Sequence, residues 1–243
     1  MERKVLFLDF DGVLFDTLYE VYLINRKVCI GTDIFDEIDK ENYKLYSKYK
    51  YLVYNIWMFL YYNPLLFNAC PQNEIVAKFN TAILNRDKRK EEIFYDKFIY
   101  ERKKLINEHF DFWKNLERPY DFFYFIKELY ETKKADMVIV SKKNKSSIIE
   151  RFNSYNFNLE KEKIFDCVDL EFYNSKGDFI NQYMNKFNYS KAIFVDDNSN
   201  NIKSVNNHNV KAITALWGNA QPEAVGLEQN QAIDEIKSFL AKT

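Results

Sequence analysis

Short apolar runs that end abruptly in polar residues constrain the fold of this chain more than any other feature. They are Val5–Leu8, Met137–Val140 and Ala192–Val195, with a fourth candidate at Ala212–Leu216 and a weaker one near Phe165–Phe172. Runs of this length are typical of strands buried on both faces of a parallel sheet. Helical patterns separate them, at Tyr120–Thr132, Lys145–Tyr155, Lys176–Phe187 and Asn200–Asn207. The alternation predicts an α/β fold with a doubly wound parallel sheet.

The region from Thr17 to Arg118 interrupts this alternation. It contains no convincing strand, and its aromatic residues recur at helical spacing, as at Phe94, Tyr95 and Phe98. So much helix exceeds what one crossover between parallel strands requires. We therefore predict that residues 17–118 form a separate α-helical domain inserted after the first strand. Residues 1–16 and 119–243 would form the α/β core.

The composition excludes several classes of function. The formal net charge of −1 provides no general basic field for nucleic acid. With two histidines in the whole chain, a zinc site or a Ser-His-Asp triad is disfavoured. The cysteines, Cys29, Cys70 and Cys167, are odd in number and widely spaced. We interpret them as small buried hydrophobic residues in a reducing compartment, and we expect a cytoplasmic protein.

One nearly uncharged segment, Tyr51–Phe67, raises the question of a membrane. Its apolar part is shorter than the ~20 residues that a bilayer needs, and Asn55 and Pro64 interrupt it. We predict a buried helix that ends before Pro64, and no membrane span.

Paired carboxylates follow two of the predicted strands. Asp9 and Asp11 come directly after the first, with Gly12 next, and Asp196 and Asp197 follow Ala192–Val195. Ligands of open α/β sheets bind at the carboxyl ends of the strands, although an Asp-rich turn that only solvates a strand end has the same local sequence. If the two strands are neighbours, the four carboxylates repel one another unless some protonate or a cation neutralises them. An all-oxygen cluster is suited to Mg²⁺.

Two further positions have the chemistry of a phosphate site. Ser141 ends Met137–Val140 and precedes Lys142-Lys143-Asn144, and Lys176 begins a predicted helix. A hydroxyl and amides near a helix N-terminus can hold a phosphate oxygen. A lysine at that end of a helix opposes the helix dipole, so it is better explained if it faces an anion. Ser141 as a turn or capping residue and Lys176 as a solvated surface lysine are the alternatives.

Asp-x-Asp-Gly, Ser, Lys and Asp-Asp occur in one chain order. In this order the chain resembles the haloacid dehalogenase (HAD) superfamily, which carries four such motifs on a Rossmann-like core. The resemblance covers about residues 1–16 and 119–243. The helical insertion lies where that superfamily places a C1-type cap, a helical lid over the active site.

The resemblance implies a role for each matching residue. Asp9 would be the nucleophile, and Asp11 would first protonate the leaving oxygen and then deprotonate water. The Asp9 and Asp197 side chains and the backbone carbonyl of Asp11 would hold Mg²⁺, with Asp196 assisting directly or through water.

The transferred phosphoryl group would be bound by Ser141 and Lys176, with Phe10 and Gly12 contributing backbone groups. Lys176 is followed by Gly-Asp where many relatives have Pro, so Lys142 or Lys143 is an alternative phosphate-binding lysine.

The function implied is a Mg²⁺-dependent phosphatase that hydrolyses a small phosphorylated metabolite through an aspartyl-phosphate. The acid at Asp11 is typical of the phosphatases and phosphomutases of the superfamily. A phosphomutase of the beta-phosphoglucomutase type has the same core residues and is one alternative, and a non-catalytic phosphate-binding protein on this fold is another. A two-component receiver domain fits the length and the motif order poorly. The sequence leaves the oligomeric state open.

Overall fold

Among the residues that the structure describes, five parallel strands form the main sheet and two short strands form a second one. The computed structural model describes residues 2–37, 39–68 and 70–242. In this part of the chain the strands are β1 (Lys4–Leu8), β2 (Phe15–Asp16), β3 (Arg118–Pro119), β4 (Asp136–Val140), β5 (Ile164–Phe165), β6 (Lys191–Asp196) and β7 (Val210–Thr214).

The main sheet has the order β5-β4-β1-β6-β7. In its centre Leu8 of β1 pairs with Ile139 of β4 on one side and with Val195 of β6 on the other. Because the strands are parallel, this register brings the residues after Leu8 and Val195 to the same edge. The predicted α/β fold with a parallel sheet is confirmed.

Helices occur both in the insertion and around the sheet. The insertion contains α1 (Leu18–Ile30), α2 (Lys40–Tyr49), α3 (Phe59–Phe67), α4 (Ile75–Leu84), α5 (Lys88–Glu108) and α6 (Phe110–Leu116). After β3 come α7 (Asp121–Glu131), α8 (Lys145–Ser154), α9 (Cys167–Leu170), α10 (Lys176–Phe187), α11 (Ser199–Lys203) and α12 (Gln229–Ala241). Single 3-10 turns lie at Lys50–Leu52, Ile56–Met58, Gln72–Glu74 and Lys161–Lys163.

The described residues divide into two compact units. The sheet unit comprises the residues up to Asp16 and those from Arg118 onward, and the helical unit comprises Thr17–Glu117. Arg118 lies in the sheet unit because β3 pairs antiparallel with β2, with Arg118 opposite Asp16. No strand occurs among the described residues of the helical unit.

Both faces of the main sheet are covered by apolar side chains. Leu6 and Leu8 pack on one face with α7, α8 and α12, whereas Val5 and Phe7 pack on the other with α10. Alternate residues of a strand point to opposite faces, so a strand covered on both must be apolar throughout. This is why β1 is a continuous apolar run that ends where the polar site begins.

The helical unit has its own aromatic core and a buried ion pair. The guanidinium of Arg102 on α5 donates to both carboxylate oxygens of Glu20 on α1, at 2.8 and 2.9 Å. Trp113 on α6 donates its indole N–H to the same carboxylate at 3.4 Å. The pair is almost fully buried, so it joins three helices through a contact that water does not screen.

Two local predictions are wrong. The buried helix does not end before Pro64, because α3 begins at Phe59 and continues through Pro64 to Phe67. Tyr62 and Leu66 are buried against the core, and this burial stabilises α3 although Pro64 has no backbone N–H to donate a helical hydrogen bond. Half of the candidate strand near Phe165–Phe172 is helical, since the Asp166 side chain accepts hydrogen bonds from the first turn of α9.

The cysteines are also less buried than expected. Cys29 is exposed, and Cys70 and Cys167 are half-buried. No helix within the described ranges combines the length and apolar character needed to cross a bilayer.

Candidate active site

Asp9 begins the site at the carboxyl end of β1. Its backbone N–H donates to the carbonyl of Val195 at 2.9 Å, which extends the β1–β6 pairing by one residue. The Asp9 side chain is 11% exposed, and its Oδ1 accepts from the N–H of Phe10 at 2.7 Å. The carboxylate is therefore held by backbone geometry at the sheet edge.

Asp196 and Asp197 meet Asp9 from β6. One carboxylate oxygen of each of the three residues lies within 4.8 Å of the others. Asp196 is fully buried and Asp197 is 8% exposed. The structure thus brings together three of the four acids that the sequence singles out, in a group whose oxygen donors suit a hard divalent cation.

Lys176 connects two of these carboxylates. It is the first residue of α10, whose N-terminus is capped by the Ser175 side chain. The Lys176 ammonium lies 2.9 Å from Asp9 Oδ2 and 2.7 Å from Asp196 Oδ2. The helix start thus places a buried cation on the acidic cluster, where its charge offsets part of the repulsion.

Burial and nearby charges shift the pKa values of the Asp9 carboxyl group and the Lys176 ammonium group. Burial raises the pKa of Asp9 to about 7, with Asp196 and Asp11 acting in the same direction and Lys176 acting against them. Burial lowers the pKa of Lys176, but Asp196 and Asp9 outweigh it and the net shift is upward. The lysine therefore stays charged beside the two carboxylates that it contacts.

Ser141 and Lys142 lie at the end of the neighbouring strand, β4. Ser141 is buried, and its backbone N–H donates to Phe165 while its Oγ accepts from the N–H of Lys143 at 3.3 Å. Lys142 is half-buried, and burial together with the charge of Lys176 lowers its pKa.

Asp11 pairs with Lys143 and is not one of the three carboxylates that lie within 4.8 Å of one another. The Lys143 Nζ lies 3.2 Å from Asp11 Oδ1 and 5.4 Å from the centroid of the Phe10 ring. The Lys143 side chain is fully buried, whereas the Asp11 side chain is 36% exposed. Asp11 is therefore a half-buried carboxyl group beside, but outside, the acidic cluster.

Gly12 allows Asp197 to approach the loop after β1. Its φ is +78°, and a Cβ at this position would lie 1.9 Å from Asp197 Oδ2. Only glycine combines this backbone conformation with this clearance.

Two asparagines at the site are not predicted by the sequence reasoning. Asn201 on α11 donates its amide to both oxygens of Asp196, at 3.0 Å each. Asn219, after β7, donates its backbone N–H to Asp197 Oδ2 at 2.7 Å and its side-chain amide to the same oxygen at 3.2 Å. The only signal for Asn219 is its place just beyond a predicted strand, at the edge where ligands bind.

Solved structures share this architecture over the whole chain. A predicted phosphatase from Clostridium acetobutylicum is 14% identical with a TM-score of 0.62, covering 98% of this chain and 99% of that one. A predicted phosphoglycolate phosphatase from Haemophilus somnus is 13% identical with a TM-score of 0.59, covering 98% of each chain. A haloacid dehalogenase-like hydrolase from Streptococcus pneumoniae is 11% identical with a TM-score of 0.53, covering 96% and 98%.

The chain has the fold of haloacid dehalogenase-like hydrolases, as the order of its motifs implies. Neither a protein-family profile nor a curated protein sequence matches it. At the identities found, the likeness establishes the fold and leaves the activity to be argued from the site.

Proposed function

We propose that this protein is a Mg²⁺-dependent phosphatase that hydrolyses a small phosphomonoester through an aspartyl-phosphate on Asp9. The observation that carries the proposal is the meeting of three buried carboxylates, at the ends of two adjacent strands, with one buried lysine from the start of α10. Burying so many charged groups is costly, and a merely structural turn would not require it. Phosphoryl transfer uses such an arrangement because it depends mainly on positioning and charge.

The acidic cluster fits a divalent metal ion. All its donors are carboxylate oxygens, the ligands that Mg²⁺ prefers. In the proposal Asp9, Asp197 and the backbone carbonyl of Asp11 hold the ion, with Asp196 assisting. The ion would supply positive charge that stabilises the phosphoryl oxygens during transfer.

Asp9 acts as the nucleophile in this scheme. One of its carboxylate oxygens attacks phosphorus, and the bond from phosphorus to the ester oxygen breaks. Lys176, 2.9 Å from Asp9, offsets the negative charge that the two anions bring together. Ser141 and Lys142, at the end of β4, bind the other phosphoryl oxygens.

Asp11 acts first as the general acid and then as the general base. It gives a proton to the leaving ester oxygen, which departs as an alcohol, and then takes a proton from the water that attacks the aspartyl-phosphate. Inorganic phosphate leaves and the Asp9 carboxylate is regenerated. The position of Asp11 supports this role, since it is two residues from the nucleophile and its side chain is open to solvent on one side.

The helical unit serves as the cap in this proposal, and the substrate is a small phosphorylated metabolite. One structural neighbour is described as a predicted phosphoglycolate phosphatase, so 2-phosphoglycolate belongs among the compounds tested. In this proposal the helical unit recognises the part of the substrate beyond the phosphate.

The test is phosphate release from a panel of phosphorylated metabolites with Mg²⁺. We expect the wild type to hydrolyse at least one compound, and Asp9→Asn to lose all but a few per cent of that rate while keeping its far-UV circular dichroism. Asp234→Asn, the same change at an exposed position on α12, is the matched control and should keep its rate. A fast Asp9→Asn enzyme would exclude Asp9 as the nucleophile.

Chelation tests the metal separately. Excess EDTA should abolish phosphate release, and added Mg²⁺ should restore it. Activity that survives EDTA would show that the acidic cluster does not use a metal ion.

A further inference from the structure

We infer that Asn219 is a positioning residue that keeps Asp197 within the acidic cluster and thereby sets the affinity for the divalent ion. This inference rests on the proposed function, since it concerns the same metal site. Nothing in the four-motif pattern assigns a role to Asn219.

The hydrogen bonds of Asn219 are directed at a single atom. Its backbone N–H and its side-chain amide both donate to Asp197 Oδ2, at 2.7 and 3.2 Å. A carboxylate oxygen that accepts two donors from one residue is held in direction as well as in place. The rotation of the Asp197 side chain is therefore restricted by a residue outside the predicted site.

Repulsion explains why such restraint is needed. Asp197 is adjacent to Asp196 in the chain and within the same 4.8 Å group as Asp9. Lys176 makes short ion pairs with the carboxylates of Asp9 and Asp196. Like charges in a buried site push one another apart, and the two bonds from Asn219 oppose that movement of Asp197.

The loop that carries Asn219 is anchored on both sides of the site. We call Ala215–Asn219 the β7 loop. The N–H of Ala215 donates to the carbonyl of Asp196 at 3.0 Å, and the Trp217 indole N–H donates to the carbonyl of Val13 at 3.0 Å. The loop is thus tied to the end of β6 and to the turn after β1, the two segments that carry the carboxylates.

Gly218 allows the β7 loop to approach Gly12 and Asp197 closely. A Cβ on Gly218 would lie 2.1 Å from the carbonyl oxygen of Gly12 and 2.9 Å from Asp197 Oδ2. The β7 loop therefore packs backbone against backbone on Gly12, and this places the amide of Asn219 beside Asp197. Partners that orient a metal ligand typically change metal affinity by ~10–100-fold when they are removed.

The experiment measures binding of Mn²⁺, an oxygen-preferring substitute for Mg²⁺, by the electron paramagnetic resonance signal of the free ion. We expect Asn219→Ala to raise the Mn²⁺ Kd roughly tenfold, because the backbone N–H bond to Asp197 remains. Asn230→Ala, an exposed asparagine on α12, is the matched control and should bind as the wild type does. Urea unfolding of each variant verifies that the sheet unit is folded.

Two outcomes would overturn the inference. A Kd of Asn219→Ala within about twofold of the wild-type value would show that Asn219 does not position a metal ligand, and the proposed phosphatase would stand. Wild-type binding that is absent, or that is unchanged in Asp197→Ala, would remove the metal site itself and with it the metal dependence of the proposed function. If Asn219→Ala does not fold, the Mn²⁺ Kd is measured instead for Asn219→Ser, whose hydroxyl lies one bond closer to the backbone than the amide nitrogen of asparagine.

Discussion

Replacing Gly12 with alanine should damage the acidic cluster by moving Asp197. The added Cβ would lie 1.9 Å from Asp197 Oδ2 and 3.0 Å from the Asn219 amide nitrogen. To lengthen this 1.9 Å distance to an ordinary contact of 3.4 Å, Asp197 must move by about 1.5 Å, and strain of this kind typically costs ~1–3 kcal/mol. The left-handed backbone at φ +78° adds roughly 1–2 kcal/mol for a residue with a Cβ. We expect the free energy of unfolding to fall by about 2–5 kcal/mol.

Gly31 provides a control that separates these two costs. It has a φ of +71° at the end of α1, but a Cβ there would meet nothing within 4 Å. Gly31→Ala therefore carries the backbone cost of roughly 1–2 kcal/mol without the collision. Urea unfolding gives the two stabilities, and Mn²⁺ titration shows whether the Gly12→Ala site has also lost affinity. Equal losses of stability in both variants, with normal Mn²⁺ binding by Gly12→Ala, would refute the argument from close approach.

Two further predictions concern the helical unit. Glu20→Ala leaves the Arg102 guanidinium buried without its carboxylate, so it should lower the free energy of unfolding by about 3–5 kcal/mol. Glu74→Ala, which breaks an exposed pair with Lys78, should cost under ~1 kcal/mol in the same urea assay, and similar costs would contradict the burial argument. Burial raises the pKa of Tyr62 well above its ordinary value, so the unfolded chain releases this proton first and stability should fall as pH rises above about 10. Tyr62→Phe should make that fall shallower by up to ~1.4 kcal/mol per pH unit, and an unchanged slope would show that Tyr62 does not titrate on unfolding.

Much of the architecture could be predicted because local patterns and tertiary structure agree. The run Val5–Leu8 predicts a strand buried on both faces, and β1 is that strand. The helix predicted at Lys176–Phe187 has the same bounds in the structure, since Ser175 caps its start and the chain turns left-handed at Asn188. Predictions failed where burial outweighed a local signal, as at Pro64, or where one capping side chain redirected the backbone, as at Asp166.

The candidate site also has features that the sequence could predict and features that depend on the tertiary structure. Asp9 and the pair Asp196-Asp197 could be predicted because each comes immediately after an apolar run, a pattern that is visible in the local sequence. That they meet depends on β1 and β6 being neighbours, which the pairing of Leu8 with Val195 decides.

By itself, the sequence determined the buried central strands, the helix Lys176–Phe187 and the acidic residues that follow two of the strands, because these depend on neighbours along the chain. Only the tertiary structure decided that Lys176 joins Asp9 to Asp196, that Asp11 pairs with Lys143, and that Asn219 holds Asp197. These contacts join residues that are distant in the chain, and they form only because the parallel strands and the loops beyond them converge at one edge of the sheet.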